Sequence, residues 1–441
     1  MKLFCHIVCC SLFLFLTACG GGSSTPTYTV GGTVSGLTSG SFVLKNNGGD
    51  ALTISANSTS FTFDTGLASG AAYAVTAGTQ PNRLACEVTN NTGTIASANV
   101  TGVTITCIAP VYVANGSSNT VSMYEMDATT GILTPLATPT VATGTTPASI
   151  IINPAGTFAY VMNHQSNTVS MYAINASTGI LTALSTPTVA TGTSPSSIII
   201  NPAGTFAYVA NLQNATVSMY AINATTGILS PLATPTVATG NFPRSIAVNH
   251  AGTFAYVANQ GSSTVSMYAI NATTGELTPL ATPTVATQQM PFSIAVNPAG
   301  TFAYVANNKS DTVSMYAINA TTGILTPLAT PTVATEIFPN SIVVNPAGTF
   351  AYVTNEISNT VSMYAINSTT GILTPLTTPT VATGTSPISI NVNPAGTFAY
   401  VANNDSNTLS MYTINATTGI LTPLATPTVA TGTDPTSVAF K

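Results

Sequence analysis

The feature that most limits the fold of this chain is a repeat: a phrase close to Asn-Pro-Ala-Gly-Thr-Phe-Ala-Tyr-Val returns every 48 residues. A fixed period of about 20–50 residues is typical of architectures that stack one supersecondary unit on the next. The period therefore limits the possible folds before any single residue is considered. The phrase opens at Asn153, Asn201, Asn249, Asn297, Asn345 and Asn393.

Each repeat predicts four β-strands. In one unit, runs of β-branched and aromatic residues cover 245–248, 254–258, 264–270 and 277–287, and the turn-forming segments 249–252 and 271–275 separate them. The fourth run contains proline, which belongs on an edge strand. Four strands in 48 residues match the length of one propeller blade.

The phase of the repeat decides between an open solenoid and a closed ring. The repeat region enters at a second strand and stops just after a first strand, so residues 438–440 are predicted to complete the blade that 111–113 begin. An open solenoid would need polar caps at its ends. We predict an all-β fold, a closed seven-bladed β-propeller of four-stranded blades over residues 110–441. Its seven second strands carry Tyr112, Tyr160, Tyr208, Tyr256, Tyr304, Tyr352 and Tyr400, and its seven first strands carry Ser149, Ser197, Ser245, Ser293, Ser341, Ser389 and Ser437.

The segment before the repeats, residues 28–109, has short alternating runs separated by turn residues. We predict a small immunoglobulin-like β-sandwich that acts as a spacer. Its cysteines, Cys86 and Cys107, are expected to form a disulfide that staples its last two strands, with a stabilisation of about 3 kcal/mol from the loop it closes. The expected strands cover 41–44, 51–54, 60–63, 73–75 and 103–105.

The first residues predict export. Lys2 precedes an apolar run that is too short to span a bilayer, and residues 16–20 (Leu-Thr-Ala-Cys-Gly) resemble the signal of bacterial lipoproteins. This resemblance implies that segment 1–18 is removed and that Cys19 carries lipid at the start of a flexible tether, 19–27. Gly20 implies delivery to the outer membrane, with the body either periplasmic or on the cell surface. The alternative is an ordinary secretory signal.

Charge limits the possible partners. Only 4% of residues are charged and the formal net charge is −5. With six Lys and Arg in the whole chain, there is no basic stripe for a phosphate backbone, so we expect no nucleic-acid partner. We expect a monomer without cofactor or metal, attached to the membrane through Cys19 and able to bind a carbohydrate or protein ligand.

One repeat carries a recognisable motif. Residues 352–355 (Tyr-Val-Thr-Asn), 358–362 and 370–371 resemble the YVTN propeller repeat, and the pattern from 110 to 441 resembles seven-bladed lactonases of the 6-phosphogluconolactonase type. The resemblance implies the fold. It allows a lactonase or cycloisomerase acting on sugar acids, but propellers of this kind also serve as surface and adhesion modules.

The differences between copies of the repeat are concentrated in two short segments of each unit. Units 201–248 and 249–296 differ at 11 of 48 positions, and eight of these lie in two short segments, 212–215 and 240–244 with their counterparts. In a four-stranded blade, the second-to-third loop and the link to the next blade emerge on the same end of the ring. The variation therefore predicts one variable face, where loops change without disturbing the sheets.

Three consecutive links depart from the Gly-Thr-x-Pro pattern of the other four and place apolar side chains beside a few polar ones, as ligand sites do. The alternative is that these side chains plug the channel as core.

A lactone hydrolase would need a base and a cation, and the candidate pair is Glu336 and Arg244. We favour a non-catalytic binding module, with a lactonase-like hydrolase and a structural envelope component as alternatives. The candidate ligand-binding residues are Phe242, Arg244, Met290, Phe292, Glu336, Phe338 and His164.

Overall fold

The structure is a computed structural model that describes residues 25–441. The expected leader, Cys19 and the start of the tether lie outside the described residues. All regular elements of the described part are β-strands. Within residues 25–441 there are no helices of the length and hydrophobicity that crossing a bilayer requires.

Residues 27–108 form a domain of two main sheets, here called the two-sheet domain, beside a two-stranded ladder of β1 and β6. One sheet has the order β8, β10, β2, β5 and the other the order β4, β3, β7, β9. Phe42, Leu44 and Ile54 from one sheet and Val34 and Ile105 from the other share a buried core. The strands are β1 (Thr27–Tyr28), β2 (Val30–Ser35), β3 (Ser41–Asn46), β4 (Asp50–Ser55), β5 (Ser60–Thr62), β6 (Leu67–Ala68), β7 (Ala72–Ala77), β8 (Ala85–Thr89), β9 (Thr92–Thr94) and β10 (Val100–Asn115).

The predicted strands of this domain coincide with β3, β4, β5, β7 and β10, whereas β1, β2, β6, β8 and β9 were not predicted. Cys86 and Cys107 are bonded in the structure and lie directly opposite each other on the paired strands β8 and β10, with Cα atoms 4.0 Å apart. They therefore join two neighbours within one sheet rather than two facing sheets. An immunoglobulin-like topology stays a prediction.

The second domain consists of seven four-stranded sheets. Blade 1 contains β37, the second half of β10, β11 and β12, and blades 2 to 7 follow in sequence with four antiparallel strands each. Its strands are β11 (Thr120–Met126), β12 (Leu133–Ala142); β13 (Pro147–Ile152), β14 (Phe158–Asn163), β15 (Thr168–Ile174), β16 (Leu181–Ala190); β17 (Pro195–Ile200), β18 (Phe206–Asn211), β19 (Thr216–Ile222), β20 (Leu229–Ala238); β21 (Pro243–Val248), β22 (Phe254–Asn259), β23 (Thr264–Ile270), β24 (Leu277–Ala286); β25 (Pro291–Val296), β26 (Phe302–Asn307), β27 (Thr312–Ile318), β28 (Leu325–Ala334); β29 (Pro339–Val344), β30 (Phe350–Asn355), β31 (Thr360–Ile366), β32 (Leu373–Ala382); β33 (Pro387–Val392), β34 (Phe398–Asn403), β35 (Thr408–Ile414), β36 (Leu421–Ala430); and β37 (Pro435–Phe440).

The ring closes as the sequence predicts. β37 pairs with β10, with Tyr112 opposite Ala439 and Val113 opposite Val438. First strands contact the first strands of the neighbouring blades, so they line the central channel, and the fourth strands are outermost. The seven-bladed propeller is confirmed.

The repeated phrase joins each blade to the next. Asn201 Oδ1 accepts hydrogen bonds from the backbone N of Thr205 and of Phe206, both at 2.9 Å, which fixes the turn before the second strand. The ring of Phe206 then covers Gly275 of the next blade, where φ is +75° and an added Cβ would clash with the ring. Tyr208 donates from its hydroxyl to the carbonyl of the same Gly275 at 2.8 Å. The phrase recurs because every blade meets its neighbour through the same contacts.

The apolar cores lie between blades rather than within them. One cluster joins Tyr208 and Met219 of blade 3 to Val257, Tyr268 and Leu277 of blade 4. Each sheet buries both faces against its neighbours, so the ring depends on all seven sheets.

The two-sheet domain covers the face of the ring opposite the variable loops. The backbone N of Cys86 donates to the carbonyl of Ala176 in a turn of blade 2 at 3.1 Å, and the Lys441 ammonium donates to the carbonyl of Leu84. Arg83 and Ile150 line a common cavity at this end of the channel. β10 runs through both domains without a linker, so the boundary predicted between 109 and 110 falls inside a strand.

Candidate functional site

The mouth of the channel on the variable face is a cavity of about 630 Å³. Its deeper part contains the seven serines that mark the first strands, Ser149, Ser197, Ser245, Ser293, Ser341, Ser389 and Ser437. In four blades the Oγ of this serine accepts a hydrogen bond from the backbone N of the next blade's isoleucine, as at Ile294 and Ser245 (3.3 Å). These hydroxyls keep a proton that can be donated into the channel. The floor is therefore a ring of hydroxyl groups.

Arg244 enters the cavity from the start of β21, immediately after the link proline Pro243. Its guanidinium carbon lies 4.8 Å from the centre of the Phe292 ring on the next blade, in cation–π contact. Burial lowers the pKa of Arg244, and the negative charge of Glu356 opposes that fall. The cavity thus holds one guanidinium that is partly desolvated, backed by an aromatic ring and electrostatically coupled to a carboxylate.

Glu356 is the carboxylate that lines the same cavity as Arg244. It follows directly after β30, and its backbone N donates to the carbonyl of Phe338 at 2.9 Å. Asn340, at the start of β29 in the same blade, donates from Nδ2 to Oε2 of Glu356 at 2.8 Å. This bond orients the carboxylate at the cavity wall.

Further polar groups line the same cavity. His164 has Nδ1 2.8 Å from the carbonyl oxygen of Pro195, and because a carbonyl only accepts, Nδ1 donates this hydrogen bond. Asn308 is buried and donates from Nδ2 to the carbonyl of Pro339 at 3.4 Å. Asn404 also lines the cavity.

The links place bulky side chains in an unusual backbone conformation. The residue before the link proline has positive φ in all seven blades, and in three consecutive blades it is Phe242 (52°), Met290 (56°) or Phe338 (60°). Left-handed backbone costs on the order of 1 kcal/mol or more in residues other than glycine. Because this conformation is unfavourable for bulky residues, the apolar side chains at these positions indicate a role at the rim of the channel rather than a role in stabilising the fold.

The structure brings most of the predicted site residues together. Arg244, Met290, Phe292, Phe338 and His164 all line the one cavity. Because His164 and Phe338 share it, the loops and the links emerge on one face, as predicted.

Two predicted residues lie elsewhere, which corrects the expected arrangement. Glu336 is exposed outside the cavity, so it does not pair with Arg244, and Phe242 is 49% exposed outside the cavity lining. Glu336 lies two residues before Phe338 in its link, farther from the first strand that lines the channel. Phe242 occupies the same link position as Met290 and Phe338, but its ring lies against Gly261 in the adjacent loop of its own blade. Ile337 (48%), Phe338 (42%) and Ile357 (58%) are the other large apolar side chains exposed among the described residues.

Sequence reasoning did not assign Glu356, Asn308, Asn340 and Asn404 to the site. A signal was present, because the position just after the second strand holds Gly116, His164, Leu212, Gln260, Asn308, Glu356 and Asn404 in the seven blades. Such variation next to a nearly invariant buried strand indicates positions that face the channel mouth.

A closed ring of seven four-stranded blades with a polar cavity at one channel mouth defines a seven-bladed β-propeller. The family model "Lactonase, 7-bladed beta-propeller" matches residues 109–291, 281–338 and 328–440. The chain belongs to this family.

Solved structures show the same fold. A protein of Bacteroides fragilis provisionally named 6-phosphogluconolactonase has 22% identity and a TM-score of 0.67, over 76% of this chain and 98% of its own. The periplasmic gluconolactonase PpgL of Pseudomonas aeruginosa has 20% identity and a TM-score of 0.66, over 76% of this chain and 99% of its own. No curated protein sequence matches the chain.

Proposed function

We propose that this protein hydrolyses lactones of sugar acids in the cavity on its variable face. The observation that carries this proposal is the presence of Arg244 and Glu356, a cation and a carboxylate from different blades, in one cavity at the channel mouth. Membership of the lactonase family supports hydrolysis over the non-catalytic binding role that the sequence favoured.

The pair supplies what lactone opening needs. Glu356 accepts a proton from water as the water oxygen attacks the lactone carbonyl carbon. Arg244 donates hydrogen bonds to the oxygen on which negative charge develops. The tetrahedral intermediate then breaks the ring carbon–oxygen bond, and the proton held by Glu356 passes to the departing ring oxygen. One water and one lactone give one hydroxy acid.

The decisive experiment measures acid release from glucono-δ-lactone by the full chain, above the spontaneous rate. We expect turnover by the wild type and a loss of about 100-fold or more for Glu356→Gln and for Arg244→Ala, because each removes a group that acts in the transition state.

Glu336→Gln is the matched control. Glu336 lies in the link that leads into the same blade as Glu356 but is exposed outside the cavity, so its loss should leave turnover unchanged. Equal loss in Glu336→Gln and Glu356→Gln, or no turnover by the wild type, would contradict the proposed function.

A second role, binding of carbohydrate, is supported by the exposed aromatic rings of Phe242 and Phe338 on the rim. Phe242→Ser with Phe338→Ser tests it, because Ser194 and Ser386 occupy the equivalent positions with positive φ in other blades. We expect the double variant to fold normally and to lose retention on glycan arrays. Unchanged retention would contradict this role.

We also propose membrane attachment through Cys19, in the outer membrane, on the strength of the lipoprotein-like residues 16–20. Metabolic labelling with a fatty acid should mark the wild type and not Cys19→Ala. Labelling of both would contradict the anchor.

A further inference from the structure

The charges around the cavity mouth are mostly negative. The loops between second and third strands, the links between blades and the starts of the first strands carry two cations, Arg244 and Lys309. The same loops and links carry five carboxylates, so this face has a formal net charge of −3. The carboxylates are Asp311, Glu336, Glu356, Asp405 and Asp434.

Inside the cavity, the charges of the lining residues favour an anionic ligand no more than the charges around the mouth do. The guanidinium of Arg244 is the permanent positive charge in the lining, and Glu356 lies close enough to interact with it. The remaining lining groups near it are neutral: serine hydroxyls, the amides of Asn308 and Asn340, and the ring of Phe292. A phosphate ester normally requires several cations or a set of backbone N–H groups.

We propose that the cavity takes an uncharged polyhydroxy lactone and discriminates against its phosphate ester, a statement that rests on the proposed lactonase activity. The ring of serine hydroxyls and the neighbouring amides match the hydroxyl groups of an unmodified sugar lactone. A phosphate dianion must approach a face of net charge −3, which slows its encounter with the site and opposes its binding.

The same field acts on the product. Hydrolysis converts an uncharged lactone into an anionic aldonate. The acidic face therefore neither attracts nor repels the uncharged substrate as it enters, but it repels the anionic product as it leaves. The four carboxylates of this face other than Glu356 therefore assist product release without touching the reacting atoms.

The test compares kcat/KM of the full chain for glucono-δ-lactone and for 6-phosphoglucono-δ-lactone. At low ionic strength we expect the phosphate ester to be slower by about tenfold or more. The difference should shrink several-fold at about 0.5 M salt, because salt screens exposed charges, while the rate for the uncharged lactone stays unchanged.

Substitutions that copy residues from other blades test whether the carboxylates of this face cause the discrimination against the phosphate ester. Asp311 Oδ1 accepts from the backbone N of Phe338 at 2.9 Å, and Asn359 makes the same bond to Ser386 at 2.8 Å, so Asp311→Asn keeps the local structure. Combined with Asp405→Gln, which matches Gln165 and Gln213, and Asp434→Ser, which matches Ser194 and Ser386, it should raise kcat/KM for the phosphate ester several-fold and leave the uncharged lactone unaffected.

The matched control removes a carboxylate from the opposite face. Asp127 Oδ1 accepts from the backbone N of Thr129 and Thr130, and Asn175 accepts the equivalent pair of bonds in the next blade. Asp127→Asn should therefore change neither substrate's rate.

The outcomes separate the two proposals. Turnover of the phosphate ester at an equal or higher kcat/KM would overturn the preference while supporting hydrolysis. If neither lactone is opened, calorimetry still decides: binding of gluconolactam with no binding of 6-phosphogluconate supports the preference for an uncharged ligand, and the reverse overturns it.

Discussion

At the scale of single residues, a ring of tyrosines joins neighbouring blades. The second-strand tyrosine of each blade donates from its hydroxyl to the carbonyl of a turn glycine in the next blade, as Tyr256 does to Gly323 at 2.9 Å. Tyr400 of blade 7 donates to Gly131 of blade 1 at 2.6 Å, so the series closes on itself. The other members are Tyr112, Tyr160, Tyr208, Tyr304 and Tyr352.

Removing one such hydroxyl should have a measurable cost. Tyr256→Phe leaves the buried carbonyl of Gly323 without its donor, and we expect the free energy of unfolding to fall by about 1–3 kcal/mol in urea titrations. Tyr28→Phe, at a partly exposed tyrosine of the two-sheet domain, is the control and should change little. Equal effects of both substitutions would contradict an interblade role.

Some residues of the site could be predicted from the sequence, and others could not. Arg244, Phe292 and Met290 could be predicted because they interrupt a repeat that is otherwise nearly constant. The choice between Glu336 and Glu356 could not be made in this way, because both are single changes on the same face. The folded ring decides it, because Glu356 lines the cavity and Glu336 does not.

At the scale of elements, the closing strand β37 holds the ring together. Val438 is 4% exposed and packs in one core cluster with Val111 and Val113 of β10. The strand comes from the opposite end of the domain in sequence, so its pairing joins the first and last repeats.

A charge placed on this strand tests the closure. Val438→Asp buries an unpaired carboxylate, and we expect a loss of about 3 kcal/mol or more, or failure to fold. Thr433→Asp adds the same charge at an exposed position just before the strand and should have little effect on the thermal unfolding midpoint. A Val438→Asp protein as stable as Thr433→Asp would mean that β37 contributes little to the ring.

Prediction succeeded element by element where the repeat supplied seven copies of each signal. The third strand predicted for 264–270 coincides with β23, and the other three strands of that unit agree within two residues at each end. The domain before the repeats offers one copy of each signal, so short strands such as β9 were not predicted. β10 crosses the expected boundary because one extended strand satisfies backbone hydrogen bonds in both domains.

At the scale of the whole molecule, the interblade cores bury fourteen tyrosines whose pKa values all change in one direction. Burial raises the pKa of Tyr316, Tyr364 and Tyr412 from 10.0 to about 12, and raises that of the other eleven propeller tyrosines as well. The unfolded chain therefore releases these protons at lower pH than the folded protein does.

Stability should consequently fall in alkali. Below pH 10 both states keep the tyrosine protons, so these groups add no pH dependence; between pH 10 and about 12 the unfolded state ionises first and is favoured. We expect unfolding free energies in urea to drop steeply above pH 10, with tyrosinate absorbance rising together with unfolding. Absorbance from most tyrosines rising near pH 10 in a folded protein would contradict this.

The sequence by itself determined the period, the number of blades, the closure of the ring and the face on which variation collects. Each of these follows from local signals repeated seven times, and from a phase that only a ring can satisfy. The tertiary structure decided which changeable residues reach the channel, that Glu356 rather than Glu336 shares the cavity with Arg244, and that the two-sheet domain covers the opposite end. These facts depend on radial position and on contacts between distant blades, and a pattern along one chain does not record distances across a ring.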